Sequence, residues 1–251
     1  MTHPEHDNRN LCEQVADRLE RDIIGLYATG ERLPSEQQLT ETYQVSRTVI
    51  REAMKLLKER GLVDSRTGSG AYVMHPEAQH ISDMLSRIIK LDNISFHDIY
   101  YFRSILEIAA VRRAVERVTE QEIDEMQEIL NSLRTREMTV FERRDADFTF
   151  HLAIARASRS PLLVLMVEAM SNVFKDVIAV GIVTKDGISD AILRHQIILD
   201  ALKKKEADYA AYTVYSHLHR SEQNVADYLE EHGQSFTFPI AARHEPCEDK
   251  S

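Results

Sequence analysis

The sequence predicts a mainly α-helical protein that joins an N-terminal winged helix-turn-helix to a C-terminal all-α helical bundle. Three observations lead to this fold class. The chain has 251 residues, more than one hydrophobic core usually requires. Residues 8–75 show the pattern of three helices and a β-hairpin, and beyond residue 96 the apolar residues recur at helical spacing without strand-like alternation. We therefore expect a winged domain at 8–75, a linker with a short helix at 76–95, a helical domain at 96–232 and a poorly ordered tail at 233–251.

The composition is that of a soluble globular protein, with 43% hydrophobic and 29% charged residues. No apolar run approaches the roughly 20 residues of a membrane-spanning helix, and the polar start MTHPEHDNRN lacks the apolar core of a signal peptide. Cys12 and Cys247 lie near opposite ends and show no CxxC spacing. We therefore expect a cytoplasmic protein with reduced thiols and no membrane partner.

The distribution of charge matters more than its sum. A net charge of −10 argues by itself against nucleic acid as a partner. Residues 46–70, however, carry six Arg or Lys against three Asp or Glu, a local charge of +3. A small positive face on an acidic body is compatible with specific DNA binding and unfavourable for indiscriminate binding.

Apolar spacing and a capping pattern mark the first two helices. Apolar residues recur every four positions towards a helix end near Tyr27: Leu11, Val15, Leu19 and Ile23. After the turn ATGERLP, Ser35 can cap a short second helix while Gln38 reaches back to the cap. This second helix should end near Tyr43.

The third helix should begin after the cap residue Ser46, run to about Arg60 and be stopped by Gly61. Its inward residues are expected to be Ile50, Ala53 and Leu57. The strand-like runs LVDS and AYVM flank RTGSG, which predicts a hairpin.

Three helices and a hairpin also fit a small domain with no role in DNA binding. The position of three polar side chains favours the DNA-binding interpretation. Arg47, Thr48 and Arg51 lie on the N-terminal part of the third helix, where a recognition helix meets base edges and phosphates.

The remainder of the chain predicts helices only. A short amphipathic segment at 81–91 falls within the linker. The following helices are expected near residues 97–117, 120–135, 139–157, 161–183, 187–204 and 206–231.

Polar residues interrupt the apolar stripes of three of these helices. Asp147 and His151 are one turn apart, so both can face one point. His195 and His217 each occupy an inward position in their own helices, whereas His219 is rotated away. One carboxylate and three imidazoles suit a divalent transition metal, and we expect zinc, with nickel or another divalent ion as the alternative. A single such histidine is more often a hydrogen-bonded core residue, so the prediction depends on the convergence of all four.

Arg103 lies next to a predicted buried stripe of its helix, made of Ile99, Phe102, Leu106 and Ala109. A guanidinium near a buried metal would suit a small carboxylate ligand, held through bidentate hydrogen bonds. The alternative is a surface ion pair between Arg103 and Glu107, one turn later.

The block GERLPSEQQLTETYQVSRTVIREAMKLLKERGLVDSRTGSGAYV closely resembles the GntR family of bacterial transcription regulators, over about residues 11–74. The pieces FRSILE, DFTFHLAIARAS, RHQIILDAL and SHL resemble the FCD effector domain of the FadR-like subgroup, across about residues 97–231. This second match is looser.

The GntR resemblance implies that the winged domain binds double-stranded operator DNA as a homodimer. It places one set of residues on the recognition helix: Ser46, Arg47, Thr48, Val49 and Arg51. It places Thr67 and Gly68 at the wing tip. Gln37 stands where family members usually carry a basic DNA-contacting residue, and its amide can still bond to a base edge or phosphate.

The FCD resemblance implies a metal held by Asp147, His151, His195 and His217, with a small carboxylic acid bound by that metal and by Arg103. We therefore hypothesise a metabolite-responsive transcription regulator, a repressor, that is not an enzyme. Three alternatives stay open at this point: a regulator whose signal is the metal itself, a metal-dependent enzyme, and a purely structural metal.

Overall fold

The computed structural model describes residues 10–66, 69–75, 78–134, 138–183 and 187–233, without the side chains of residues 66, 176–183, 187 and 188. The chain forms two compact units, residues 1–80 and 81–251, and the division falls inside the segment 76–95 that was predicted as a linker. The predicted fold class is confirmed, because a winged helix-turn-helix is followed by a helical domain. No described helix combines the length and apolar character that crossing a membrane requires.

Three helices build the first unit: α1 (Leu11–Leu26), α2 (Glu36–Tyr43) and α3 (Arg47–Glu59). The capping box at Ser35 is confirmed, since its side chain accepts from the backbone of Gln38, whose own side chain accepts from the cap backbone. Gln44 at the end of α2 is left-handed, with φ 55°, and so lets the chain turn sharply into α3. Gly61 follows α3 with φ +74°, as expected for a residue that ends a helix.

The core of the first unit lies between α1, α3 and the hairpin. The predicted inward residues of α3, namely Ile50, Ala53 and Leu57, are fully buried. The stripe predicted for α1 is correct except at Leu11, which is 54% exposed, while Ala16 is buried instead.

The wing is an antiparallel hairpin of β1 (Val63–Arg66) and β2 (Gly70–Val73), with Val63 opposite Val73. Both strands lie within one residue of the predicted runs. Gly70 has φ +106°, a conformation that residues with a side chain rarely adopt, so this position favours glycine.

The second unit is helical throughout its described part. Its helices are α4 (Ala78–Leu91), α5 (Phe96–Ala114), α6 (Glu120–Leu133), α7 (Val140–Ala157), α8 (Pro161–Val183), α9 (Gly187–Lys203) and α10 (Ala207–Glu231). The helix predicted at 97–117 ends earlier, at Ala114, because a turn follows and Thr119 then caps α6. One apolar core is shared by α5, α6, α7, α9 and α10, and a second by α4, α5, α8 and α10. Buried polar side chains of α7, α9 and α10 lie among these apolar residues: Asp147, His151, His195 and His217.

Candidate metal centre and DNA-binding surface

Four polar side chains converge inside the second unit. Asp147, His151, His195 and His217 each offer one ligand atom, and these atoms all lie within 4.8 Å of one another. Nε2 of His195 lies 3.1 Å from Nε2 of His151 and 3.0 Å from Nε2 of His217. Oδ1 of Asp147 lies 3.4 Å from Nε2 of His195. The helices therefore bring together the four residues that the sequence analysis grouped.

The helices place these side chains by simple periodicity. Asp147 and His151 are four residues apart on α7, so they project from the same face. His195 lies in the buried stripe of α9, and His217 lies in that of α10. The exposed fractions are 8% for Asp147, 2% for His151, 0% for His195 and 5% for His217. All four are therefore removed from bulk water.

Burial keeps at least two of the imidazoles neutral. It lowers the pKa of His195 to about 3, with Asp147 opposing this shift, and it lowers the pKa of His217 well below its ordinary value. A neutral imidazole that carries one proton can donate only one hydrogen bond. Nε2 of His195 faces two other Nε2 atoms with either one proton or one lone pair, so it cannot form a good hydrogen bond to both of them. A divalent cation would accept one lone pair from each of the three imidazoles, and the donor set fits such an ion.

Glu107 on α5 is a site residue that the sequence analysis did not assign. Its Oε1 accepts from Nε of Arg103 at 2.5 Å, and its Oε2 lies 2.6 Å from Nδ1 of His151. Metal-binding histidines commonly direct the other ring nitrogen at a carboxylate. Glu107 is therefore placed to orient His151 and, through the same carboxylate, to hold Arg103.

The stripe predicted for α5 is correct at Ile99, which is buried, and wrong at Phe102, which is 40% exposed. Arg103 and Glu107 are 3% and 5% exposed and belong to the buried face. The alternative of a surface ion pair is thereby excluded, because this pair is buried. The four-residue spacing of Arg103 and Glu107 was visible in the sequence, but α5 has apolar residues on all sides, so spacing alone misplaced its inner face.

The guanidinium of Arg103 is held at one edge only. Among described residues its single hydrogen bond runs from Nε to Glu107, and the Phe174 ring lies 5.5 Å from its central carbon. Burial would lower the pKa of Arg103, but the carboxylates of Glu107 and Asp147 outweigh this and raise it. The two terminal amino groups thus form a fixed, charged donor pair without a described acceptor.

On the first unit, α3 presents the predicted DNA-contacting side chains to solvent. Arg47, Thr48 and Arg51 are exposed on its N-terminal half. Ser46 caps α3 by accepting from the backbone of Val49 at 3.4 Å. Val49 itself is half-buried and packs against the core of this unit. The exposed side chains of Arg47, Thr48 and Arg51 can contact DNA directly. Ser46 and Val49 fix the start of α3.

The remaining predicted contacts have different surroundings. Gln37 is exposed on α2, and its amide lies 3.5 Å from Glu41. Arg47 pairs with Glu36 at 3.2 Å, so α2 and α3 are joined by an exposed ion pair beside Gln37. Thr67 and Gly68, predicted at the wing tip, lie outside the described residues.

Family models match most of the chain. The model "Bacterial regulatory proteins, gntR family" matches residues 11–73, and the FCD domain model matches residues 98–220. The HTH-type transcriptional regulator LutR of Bacillus subtilis is 30% identical over 210 residues, covering 82% of this chain and 96% of LutR. The HTH-type transcriptional repressor NanR of Enterobacter sp. is 30% identical over 225 residues, covering 84% and 83% of the two chains.

A solved structure supports the same assignment. Streptococcus agalactiae GntR superimposes with a TM-score of 0.64 at 25% sequence identity, and the match covers 84% of this chain and 98% of that one. The similarity therefore extends over the winged unit and the helical unit together.

Proposed function

The chain belongs to the GntR family of bacterial transcription regulators and carries an FCD domain, and from that premise we propose that it is a repressor released from its operator when a small carboxylic acid binds beside a metal ion. Its relatives are DNA-binding regulators rather than enzymes.

The close approach of the Nε2 atoms of His151 and His217 to Nε2 of His195 carries the metal part of the proposal. Asp147, His151, His195 and His217 would hold a divalent ion, zinc first, with nickel or another divalent ion as the alternative. When bound, the ion would supply a positive charge and open coordination positions for an anionic oxygen. Glu107 would keep the ring of His151 in its ligating orientation.

Arg103 carries the effector part of the proposal. Its terminal amino groups present two parallel donors, the arrangement that a carboxylate accepts in bidentate form. Glu107 holds one edge of the guanidinium, with its Oε1 2.5 Å from Nε, and leaves the terminal amino groups available to a ligand. A small organic or sugar acid would then be positioned by the arginine at its carboxylate.

For DNA, we propose that two copies bind a pseudo-palindromic operator, each through α3. Arg47, Thr48 and Arg51 would contact base edges and phosphates, with Gln37 on α2 and Thr67 and Gly68 of the wing adding contacts. Ser46 and Val49 would position the start of α3. Because binding is reciprocal, an acid that weakens operator binding must be bound more weakly by the DNA complex to the same extent.

The DNA assignment is tested with an operator duplex selected from a random library by the purified protein. Arg51→Ala should weaken binding by about 5-fold to 150-fold, since a specific arginine contact contributes about 1–3 kcal/mol. Lys55→Ala, an exposed basic residue one turn further along α3, is the matched control and should weaken binding less. Equal affinity of Arg51→Ala and wild type would overturn the recognition-helix assignment.

The metal assignment is tested by elemental analysis and native mass spectrometry of the purified protein. His217→Ala should lose the ion, whereas His219→Ala, two residues further on the exposed face of α10, should keep it. Metal in equal amounts in both variants would refute the ligand set.

Titrating the metal at a fixed amount of operator, with and without a panel of small carboxylic and sugar acids, separates the two possible signals. A response that requires an acid, and that is lost in Arg103→Met, supports the proposal. A response to metal alone assigns the signal to the ion instead. Tighter operator binding in the presence of an acid would contradict release by the effector.

A further inference from the structure

Helix α5 has a second apolar face, opposite the one that carries Arg103. Tyr101 is 70% exposed, Phe102 40% and Ile105 47%. Single exposed apolar residues are ordinary, but three within two turns on one face are not. A helix that is apolar on all sides is expected to be covered on all sides. Since the described part of this chain leaves this face exposed, we expect another molecule to cover it.

Helix α10 extends this face with two tyrosines. Tyr212 is 64% exposed and Tyr215 50% exposed. The two helices run antiparallel, because Arg112 near the end of α5 pairs with Asp208 near the start of α10, at 2.6 Å. At the opposite ends, His97 of α5 contacts Glu222 of α10, also at 2.6 Å. We call this set the α5 surface: Tyr101, Phe102, Ile105, Tyr212 and Tyr215.

The charges on α5 are arranged symmetrically about Ile105. Asp98 lies seven residues before Ile105 and Arg112 seven residues after it, which places each about 10.5 Å away along the axis. At about 100° per residue, both project within about 20° of the direction of Ile105. Both are exposed. The stripe is therefore acidic at one end, apolar in the middle and basic at the other end.

We propose that a second copy of this chain covers the α5 surface, with the two α5 helices antiparallel across a two-fold axis that passes by Ile105. In this arrangement Asp98 of each copy faces Arg112 of the other, and the large Tyr101 faces the small Ala109. Two-fold interfaces are self-complementary in this way, since each contact occurs twice. This inference rests on the proposed homodimer and names the surface through which the helical domains associate.

A cavity beside Asp98 adds independent support. It has a volume of about 300 Å³ and lies between α5 and α10. Asp98 contributes a carboxylate to its lining, as does Glu222, which already contacts His97 at 2.6 Å and His219 at 3.5 Å. Tyr101 and Tyr215 border the cavity. No Lys or Arg is among its lining residues. The cavity therefore matches the guanidinium that the second copy brings to the same end of α5, namely that of Arg112.

The first test places a charge on the axis. In sedimentation equilibrium of the full chain, Ile105→Asp should raise the dimer dissociation constant at least a hundredfold, because two buried carboxylates would face each other. Leu193→Asp on α9 is the control, since Leu193 is 60% exposed and lies off this surface. Far-UV circular dichroism and metal content identify a variant that fails to fold, and Tyr101→Glu is the second variant. An unchanged dimer constant in folded Ile105→Asp and Tyr101→Glu overturns the proposal.

The second test exchanges the charges. Asp98→Arg and Arg112→Asp should each weaken the dimer, and the double variant should restore it, because each restored pair again has opposite charges. Asp208→Asn controls for the loss of the pair within one chain. A double variant weaker than both single variants contradicts the antiparallel register.

A cross-link tests the axis directly. In a chain with Cys12→Ser and Cys247→Ser, Ile105→Cys should form an intermolecular disulfide on mild oxidation, since helices 8–10 Å apart bring such Cα atoms within disulfide reach. Leu193→Cys should not, and equal cross-linking of the two would refute the axis. If the wild type dimerises and all α5 variants dimerise equally well, the proposed surface is wrong, but the proposed homodimer is not contradicted. If wild type bound to operator contains one copy, the homodimer itself fails.

Discussion

Replacing Glu107 by Gln should destabilise the helical domain, because it removes the carboxylate that forms a buried ion pair with Arg103. Arg103 and Glu107 are 3% and 5% exposed, and Nε and Oε1 are 2.5 Å apart. Burial alone would raise the pKa of Glu107, but Arg103 and His151 outweigh it and lower the pKa to about 2. The carboxylate is therefore ionised at neutral pH, and the amide of Gln leaves a buried guanidinium without that charge.

The expected magnitude follows from the burial of both groups. Removing one member of a buried ion pair costs about 3–5 kcal/mol, since the other charge stays buried and uncompensated. For a domain of 150–250 residues, each kcal/mol lowers the melting temperature by about 2–4 °C, so a decrease of about 6–20 °C is expected. The lower end of this temperature range is expected if the side-chain oxygen of Gln still accepts a hydrogen bond from Arg103.

Differential scanning calorimetry of metal-free and metal-loaded protein measures this effect. Asp208→Asn is the control, because its pair with Arg112 has side chains 92% and 49% exposed and should contribute less than about 1 kcal/mol. Adding Arg103→Met to Glu107→Gln should recover part of the loss, since the unbalanced charge is removed as well. A decrease for Glu107→Gln no larger than that for Asp208→Asn would refute the reasoning.

Further changes test other parts of the molecule. Leu57→Ala should lower the free energy of unfolding of the winged domain by about 2–5 kcal/mol in urea titrations, because Leu57 is fully buried; a change under 1 kcal/mol would contradict the packing. Ser46→Ala should cost about 0.5–2 kcal/mol in the same assay through loss of the α3 cap, and Thr at this position should retain most of it. Gln37→Arg should tighten operator binding and steepen its salt dependence by about one counterion, measured by fluorescence anisotropy; an unchanged salt slope would place Gln37 away from the phosphates. A chelator should lower the melting temperature of the helical domain alone, and a fall confined to the winged domain would argue against a metal at the histidines.

The winged domain was predictable because local chemistry decides it. Ser35 with Gln38 marks the start of α2, and Gly61 marks the end of α3, whatever the tertiary contacts are. The metal ligands were predictable for a different reason. His195 and His217 each interrupt a clear apolar stripe, so their helices had to carry them inward.

The inner face of α5 could not be predicted in the same way. Since α5 carries its own apolar residues on every side, their periodicity does not distinguish the face that packs against α7 and α8 from the α5 surface. Only packing shows that Arg103 and Glu107 point inward while Phe102 and Ile105 point outward. The role of Glu107 therefore depended on a contact with His151, which is distant in the sequence.

The carboxylate of Glu107 also sets the electroneutrality of the buried centre. It cancels the charge of Arg103, so the single negative charge that remains among the described site groups is that of Asp147. A divalent cation on this set would leave an excess of one positive charge in a region of low dielectric constant, where unbalanced charge is costly. An acid with one carboxylate would bring the centre to zero, whereas an acid with two would require its second carboxylate to reach water or another cation.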